Sequence, residues 1–103
     1  KLINQVVVFD YIIIILGDVI MIEFKYDTQL LLEGIDLSSD TISLYITEHI
    51  IGDSLLVVGG ESLIKLHFHT NEPWKVLEYC ATLGDVFDIV IENMVRQANG
   101  LQG

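Results

Sequence analysis

Residues 62–70 read SLIKLHFHT, and this stretch decides the fold. Apolar and polar residues alternate strictly along it, which is typical of a β-strand with one buried and one open face. A second apolar run, LLVVG at residues 55–59, precedes it across the short segment GGE at residues 59–61. Two apolar runs joined by a glycine-rich turn predict a β-hairpin.

The flanking sequence predicts two more strands and two helices. Upstream, residues 22–32 alternate as a strand, and residues 38–50 offer capping serines followed by apolar residues three and four apart, as in an amphipathic helix. Downstream, residues 71–81 begin a second helix with Asn71 and Pro73. Residues 86–93 (VFDIVIEN) alternate again, which predicts a last strand with Phe87, Ile89 and Ile91 on one face.

The predicted order is β-α-β-β-α-β over residues 22–98, the ferredoxin-like arrangement of an α+β domain. In this two-layer sandwich both helices pack on one side of a four-stranded antiparallel sheet, and the opposite sheet face stays open. We interpret residues 1–21 as an apolar N-terminal extension or linker strand, an extra strand beside the domain. Residues 99–103 are interpreted as a tail.

The composition describes one small acidic domain. The chain has 103 residues and a net charge of −10, which argues against nucleic acid and anionic membranes because both bind basic side chains. The most apolar run, residues 6–16, is shorter than the roughly 20 residues of a membrane-spanning helix. No secretory signal is expected, and the single Cys80 cannot form an internal disulfide, so we expect a cytoplasmic location and a buried thiol.

The first and third strands of the predicted order are neighbours at the centre of the sheet, so residues 22–32 lie beside residues 62–70. If the apolar residues of both strands face the helices, His67 and His69 share the open face with Asp27. Two imidazoles and one carboxylate suit Zn²⁺ with a fourth position open, and Fe²⁺, Mn²⁺ or Ni²⁺ are alternatives. Solvated or partner-facing histidines are the competing interpretation.

Three runs carry a resemblance to a known family: GDSLLVVG at 52–59, KLHFHTNEP at 65–73 and IENM at 91–94. They resemble the middle domain of the ATP-binding subunit of bacterial fatty acid kinase, in a group also called dihydroxyacetone-kinase-like or Dak phosphatase proteins. The resemblance covers about residues 23–98. It implies a parent protein with an ATP-binding and Mg²⁺-binding kinase domain, this middle domain and a C-terminal domain. It also implies a partner, which is a separate fatty-acid-binding subunit.

The resemblance also implies a Zn²⁺ site. The family builds it from a cysteine in a Tyr-Cys-Thr-Glu-Phe run and the two histidines of His-x-His, which correspond here to His67 and His69. The matching run in this chain is YDTQL, so Asp27 stands where the family has cysteine. Because a carboxylate is a harder ligand than a thiolate, we expect either a shift toward other divalent metals or a metal-free, hydrogen-bonded Asp–His pair.

We therefore expect a non-catalytic scaffold and interaction domain of a fatty-acid-kinase-like protein, with a metal at Asp27, His67 and His69. The domain is not expected to be an enzyme alone, since no ATP site is recognised in the chain. Its excess of apolar residues predicts a homodimer, formed through the open face or the N-terminal strand. The alternatives are a metal-dependent hydrolytic centre with Glu92 or Asp88 as base, and a small-ligand regulatory domain.

Overall fold

A computed structural model of the chain describes residues 22–103 and, for the backbone only, residues 6–9 and 12–15. Its elements confirm the predicted α+β class and the βαββαβ order. In chain order they are β1 (Val6–Phe9), β2 (Ile12–Ile15), β3 (Tyr26–Gly34), α1 (Ser39–His49), β4 (Gly52–Gly59), β5 (Leu63–Thr70), α2 (Pro73–Ala81), β6 (Gly84–Asn93) and α3 (Met94–Ala98).

The main sheet has the strand order β4-β5-β3-β6, and every neighbouring pair is antiparallel. The two central strands are therefore β3 and β5, as the ferredoxin-like order requires. Alternating burial along both strands sets their register, because a slip of one residue would turn each buried side chain to the solvent face. Leu30 lies opposite Leu66 in this register, and both are buried.

Helices α1 and α2 cover the same face of the sheet. Helix α1 packs along β4 and buries Ile42 and Ile46, while α2 packs along β6 and β3 and buries Val76 and Cys80. Burial raises the pKa of the Cys80 thiol to about 11. Cys80 is thus a protonated core residue, which confirms the buried thiol expected from the sequence.

Side-chain hydrogen bonds fix the connections at the ends of the helices. Ser38 caps α1 by accepting from the Thr41 backbone N–H at 3.2 Å. Between β5 and α2, the buried Thr70 hydroxyl donates to the Ile51 carbonyl at 2.9 Å and accepts from the Glu72 N–H at 3.1 Å. The Thr70 side chain therefore fixes the backbone that directly follows the two histidines.

Each edge strand contains a β-bulge that the sequence did not predict. The bulges occur where Ser54 in β4 and Asp88 in β6 adopt positive φ angles of 56° and 51°. The bulge at Asp88 changes which residues of β6 face the helices. Phe87 lies opposite Leu31 on the open side, whereas Ile91 lies opposite Thr28 on the helix side. The prediction that Phe87 and Ile91 share one face is therefore wrong.

The N-terminal region and the strand ends differ in detail from the prediction. Strands β1 and β2 pair with each other as a two-stranded antiparallel sheet, where a single extra strand was expected; β-branched residues on both sides of Asp10 favour extended backbone in each half. Strand β3 begins at Tyr26 instead of Ile22. The linker role predicted for residues 1–21 falls mostly outside the described residues. Among the helices that the structure describes, none is long and apolar enough to cross a membrane.

Candidate metal centre

A row of acidic residues and a histidine crosses the open face of the sheet. The register aligns one residue from each strand, in the order Asp53, His69, Asp27 and Glu92. His67 lies two residues before His69 on β5, so it projects from the same face beside this row. The apolar residues between these positions face the helices, which is why the polar ones meet on the open side.

The structure brings together the three residues predicted from the sequence. The Nε2 atom of His67 lies 3.0 Å from Oδ1 of Asp27, and the Nε2 atom of His69 lies 3.8 Å from the same oxygen. One potential ligand atom from each residue falls within 4.8 Å of the others. Their side chains are 22 to 27% exposed, so the cluster is partly sheltered but open to solvent.

Both imidazoles have acceptors at both ring nitrogens. Nδ1 of His67 lies 3.0 Å from the Ser54 carbonyl oxygen, and Nδ1 of His69 lies 3.5 Å from Oδ1 of Asp53. A carbonyl oxygen only accepts, so the short contact to Ser54 requires a proton on Nδ1 of His67. In a neutral imidazole that proton leaves a lone pair on Nε2, facing the Asp27 carboxylate.

A cation between Nε2 and the carboxylate resolves this conflict. Either a second proton on the imidazole or a metal ion supplies the positive charge that two facing acceptors need. Histidines that bind metals commonly donate the other ring N–H to a carbonyl or carboxylate, as the surroundings of His67 and His69 allow. Ligands about 2 Å from a tetrahedral Zn²⁺ stand roughly 3.3 Å apart, a spacing that lies between the two distances to Asp27. The donor set therefore fits a divalent metal.

Two further groups complete the surroundings of Asp27. The side-chain amide of Gln29 donates toward both carboxylate oxygens at 3.4 Å. Glu92 lies opposite Asp27 on β6 and accepts a hydrogen bond from the Gln97 side chain at 2.8 Å. The site thus holds more negative than positive charge among its protein groups, which favours a bound cation.

The contribution of Asp53 and the Ser54 carbonyl was not predicted from the sequence. If the pairing of Leu56 with His67 continued along β4 without interruption, Ser54 would lie opposite His69. The bulge places Asp53 there instead. The corresponding bulge in β6 likewise places Glu92 opposite Asp27, where an unbroken register would place Ile91. Bulges without glycine leave no clear signal in one sequence, so neither shift could have been predicted.

Other candidate residues lie apart from the cluster. His49 belongs to α1 and stacks on Tyr45 with ring centroids 4.0 Å apart, and its Nδ1 contacts the Tyr45 carbonyl oxygen. Asp88 lies in the bulge of β6, away from the row that contains Asp27. Beside the cluster, a cavity of about 260 Å³ is bordered by His69, Asp53 and residues of the segment before β3.

The fold and this cluster together define a class: a ferredoxin-like α+β domain with a candidate metal centre on its open sheet face. The FakA-like middle-domain family of fatty acid kinase matches residues 23–101. The chain belongs to that family, and the resemblance seen in its motifs is confirmed.

The chain is also similar to segments of curated bacterial proteins. The chain is 52% identical over 46 residues to Protein YloV of Bacillus subtilis (strain 168), a match that covers 45% of this chain and 8% of the relative. It is 44% identical over 46 residues to an uncharacterized protein of Staphylococcus aureus (strain USA300), again covering 45% of this chain and 8% of the relative. The matched segment is thus a small part of these longer relatives.

Proposed function

We propose that this chain is a non-catalytic scaffold module of a fatty-acid-kinase-like protein, stabilised by a divalent metal at Asp27, His67 and His69. The observation that carries the proposal is the convergence of these three donors, with both Nε2 atoms directed at one carboxylate oxygen. When bound, the metal would supply a link between the two central strands, β3 and β5. Zn²⁺ is the first candidate, and the carboxylate also admits harder divalent ions.

The scaffold role is supported by the family and by the position of the site. The middle-domain family suggests neighbours in the parent protein, which we propose to be an ATP-binding kinase domain and a separate subunit that binds fatty acids. Metal at this end of the two central strands would stiffen the face presented to such neighbours. The acidic composition and the protonated, buried Cys80 agree with a cytoplasmic setting.

The proposal predicts stoichiometric metal in the purified chain. We would measure metal content by inductively coupled plasma mass spectrometry for the wild type, His67→Ala and Asp27→Ala, before and after zinc is supplied. We expect about one ion per chain in the wild type and a large loss in both variants. A ligand at 100 times its Kd stabilises a fold by about 2.7 kcal/mol, so metal should also raise the melting temperature by about 10 °C or more.

His49→Ala is the matched control for this experiment. It removes one imidazole from the chain but leaves the cluster intact, so its metal content and metal-dependent stabilisation should equal those of the wild type. A wild type that stays free of metal after zinc is supplied would contradict the proposal. Equal metal loss in His49→Ala would show that binding is not located at the cluster.

A hydrolytic centre is the second candidate, favoured by the position of Glu92 beside Asp27. In this alternative Glu92 would accept a proton from a water molecule near the cluster, and the cavity next to His69 would hold the substrate. Turnover of generic phosphate or carboxylic esters that requires metal and is lost in Glu92→Gln would support it. Unchanged turnover in that variant would exclude Glu92 as the base.

A further inference from the structure

We infer that Asp53 is a positioning residue that holds His69 in the tautomer able to bind a metal through Nε2, while the Ser54 carbonyl does the same for His67. The inference deepens the proposed metal function and rests on it. Asp53 acts through His69. The bulge of β4 would thereby supply the Nδ1 partners of both histidines from two consecutive residues.

The Nδ1 atoms of both histidines face oxygen acceptors. The Ser54 carbonyl can only accept, and at 3.0 Å it fixes the proton of His67 on Nδ1. The Asp53 carboxylate also only accepts when ionised, and its Oδ1 lies 3.5 Å from Nδ1 of His69. A movement of about 0.5 Å would bring it to ordinary hydrogen-bond distance. Asp53 can move that far because its side chain is 56% exposed.

The bulged backbone of β4 places these two acceptors. Ser54 adopts a φ of 56°, a left-handed conformation that residues other than glycine rarely adopt. The resulting bulge turns the Ser54 carbonyl toward His67 and aligns Asp53 with His69. Bulges commonly redirect side chains beside functional sites, and this one serves both histidines.

The contact between Asp53 and His69 should strengthen metal binding. A carboxylate that accepts the outer N–H of a ligating histidine orients the ring and increases the basicity of the ligating nitrogen. Loss of such a partner typically weakens metal binding by about 10- to 100-fold. The two histidines offer an internal comparison, because a side-chain substitution can remove the partner of His69 but cannot remove the backbone partner of His67.

The first experiment measures metal affinity in the full chain by competition with a chromophoric chelator for Zn²⁺ and Co²⁺. Asp53→Ala should weaken binding about 10-fold or more, and Asp53→Asn, which keeps an acceptor oxygen, should weaken it less. Asp85→Asn is the matched control, because it removes one exposed carboxylate from the far end of the sheet; we expect a change of at most about twofold.

The second experiment reads the tautomers directly. Two-bond ¹H–¹⁵N correlation spectra of the metal-free chain would be recorded at alkaline pH, where an ordinary imidazole is neutral. Both histidines of the wild type should carry the proton on Nδ1. In Asp53→Ala, His69 should move its proton to Nε2, which faces Asp27, while His67 stays unchanged. Backbone amide spectra verify that the variant is folded.

The outcomes separate the two proposals. A wild type that binds no metal would overturn the proposed function, and the tautomer spectra would still test the role of Asp53. A wild type that binds metal, together with undiminished affinity in Asp53→Ala, would overturn only the positioning role. An unchanged His69 tautomer in Asp53→Ala would overturn it as well.

Discussion

The single residue that sets the chemistry of the proposed site is Asp27. It is the common partner of both histidine Nε2 atoms, and it occupies the position where the motif resemblance implies a cysteine. A carboxylate prefers harder ions than a thiolate does, so at the proposed site this residue would determine the choice among divalent metals. The alternation along β3 and β5 was enough to predict that Asp27 lies close to His67 and His69, because both strands are central and regular at these positions.

We expect Asp27→Cys to shift the site toward zinc. A thiolate binds Zn²⁺ better than Mn²⁺, so the ratio of the two affinities should rise by at least about tenfold. Competition titrations with each metal measure this ratio. Cys80 will not interfere, because it is fully buried and burial raises the pKa of its thiol to about 11.

Asp27→Asn serves as the comparison for Asp27→Cys. It preserves the shape of the side chain but removes the charge, so binding of both metals should fall and the ratio should change little. If Asp27→Cys leaves the ratio at the wild-type value, residue 27 does not contact the metal, and the site must use a different third ligand.

At the scale of elements, the two bulged edge strands are the features that the sequence failed to predict. Regular pairing would place Ser54 and Ile91 in the acidic row, whereas the bulges place Asp53 and Glu92 there. Pattern reasoning assumes an unbroken register, and Asp88 gave no sign of interrupting it. Helices α1 and α2 were predicted well because capping residues and apolar spacing mark them locally, whereas the short helix α3 was not predicted. A bulge depends on the pairing of distant segments.

At the bulge in β6, we expect a glycine variant to be more stable than an alanine variant, which reverses the usual order in a strand. At Asp88, φ is 51°, so glycine avoids a steric cost that alanine would suffer, and Asp88→Gly should be more stable than Asp88→Ala by about 1 kcal/mol. At Asp85, in the regular part of the same strand, the order should reverse, because glycine loses more conformational entropy. Urea unfolding of the four variants measures these differences. The same order at both positions would argue against a left-handed Asp88.

At the scale of the whole molecule, the open face combines the acidic row with an apolar patch. The patch lies in the row that contains His67 and in the next row, and its exposed members are on the edge strands, Leu56 and Val58 on β4 and Phe87 and Val90 on β6. His67, Gln29, Lys65 and Leu31 of the central strands lie between them. Apolar side chains gathered on one open face often mark an interaction surface. The net charge of −10 opposes self-association at long range, so two copies would need favourable close contact, such as apolar contact, to stay together.

We therefore expect the predicted homodimer to form through this patch and to strengthen with salt, because salt screens the repulsion between the acidic copies. Light scattering coupled to size-exclusion chromatography, at low and high salt, measures the association. Phe87→Glu should yield a monomer, because it places a charge in the patch. Leu44→Glu, at an exposed position of α1 in the helical layer, should leave association unchanged. A wild type that stays monomeric at high concentration and high salt would show that the patch is not a homodimer interface. A neighbouring protein of the proposed complex would then be the next candidate partner.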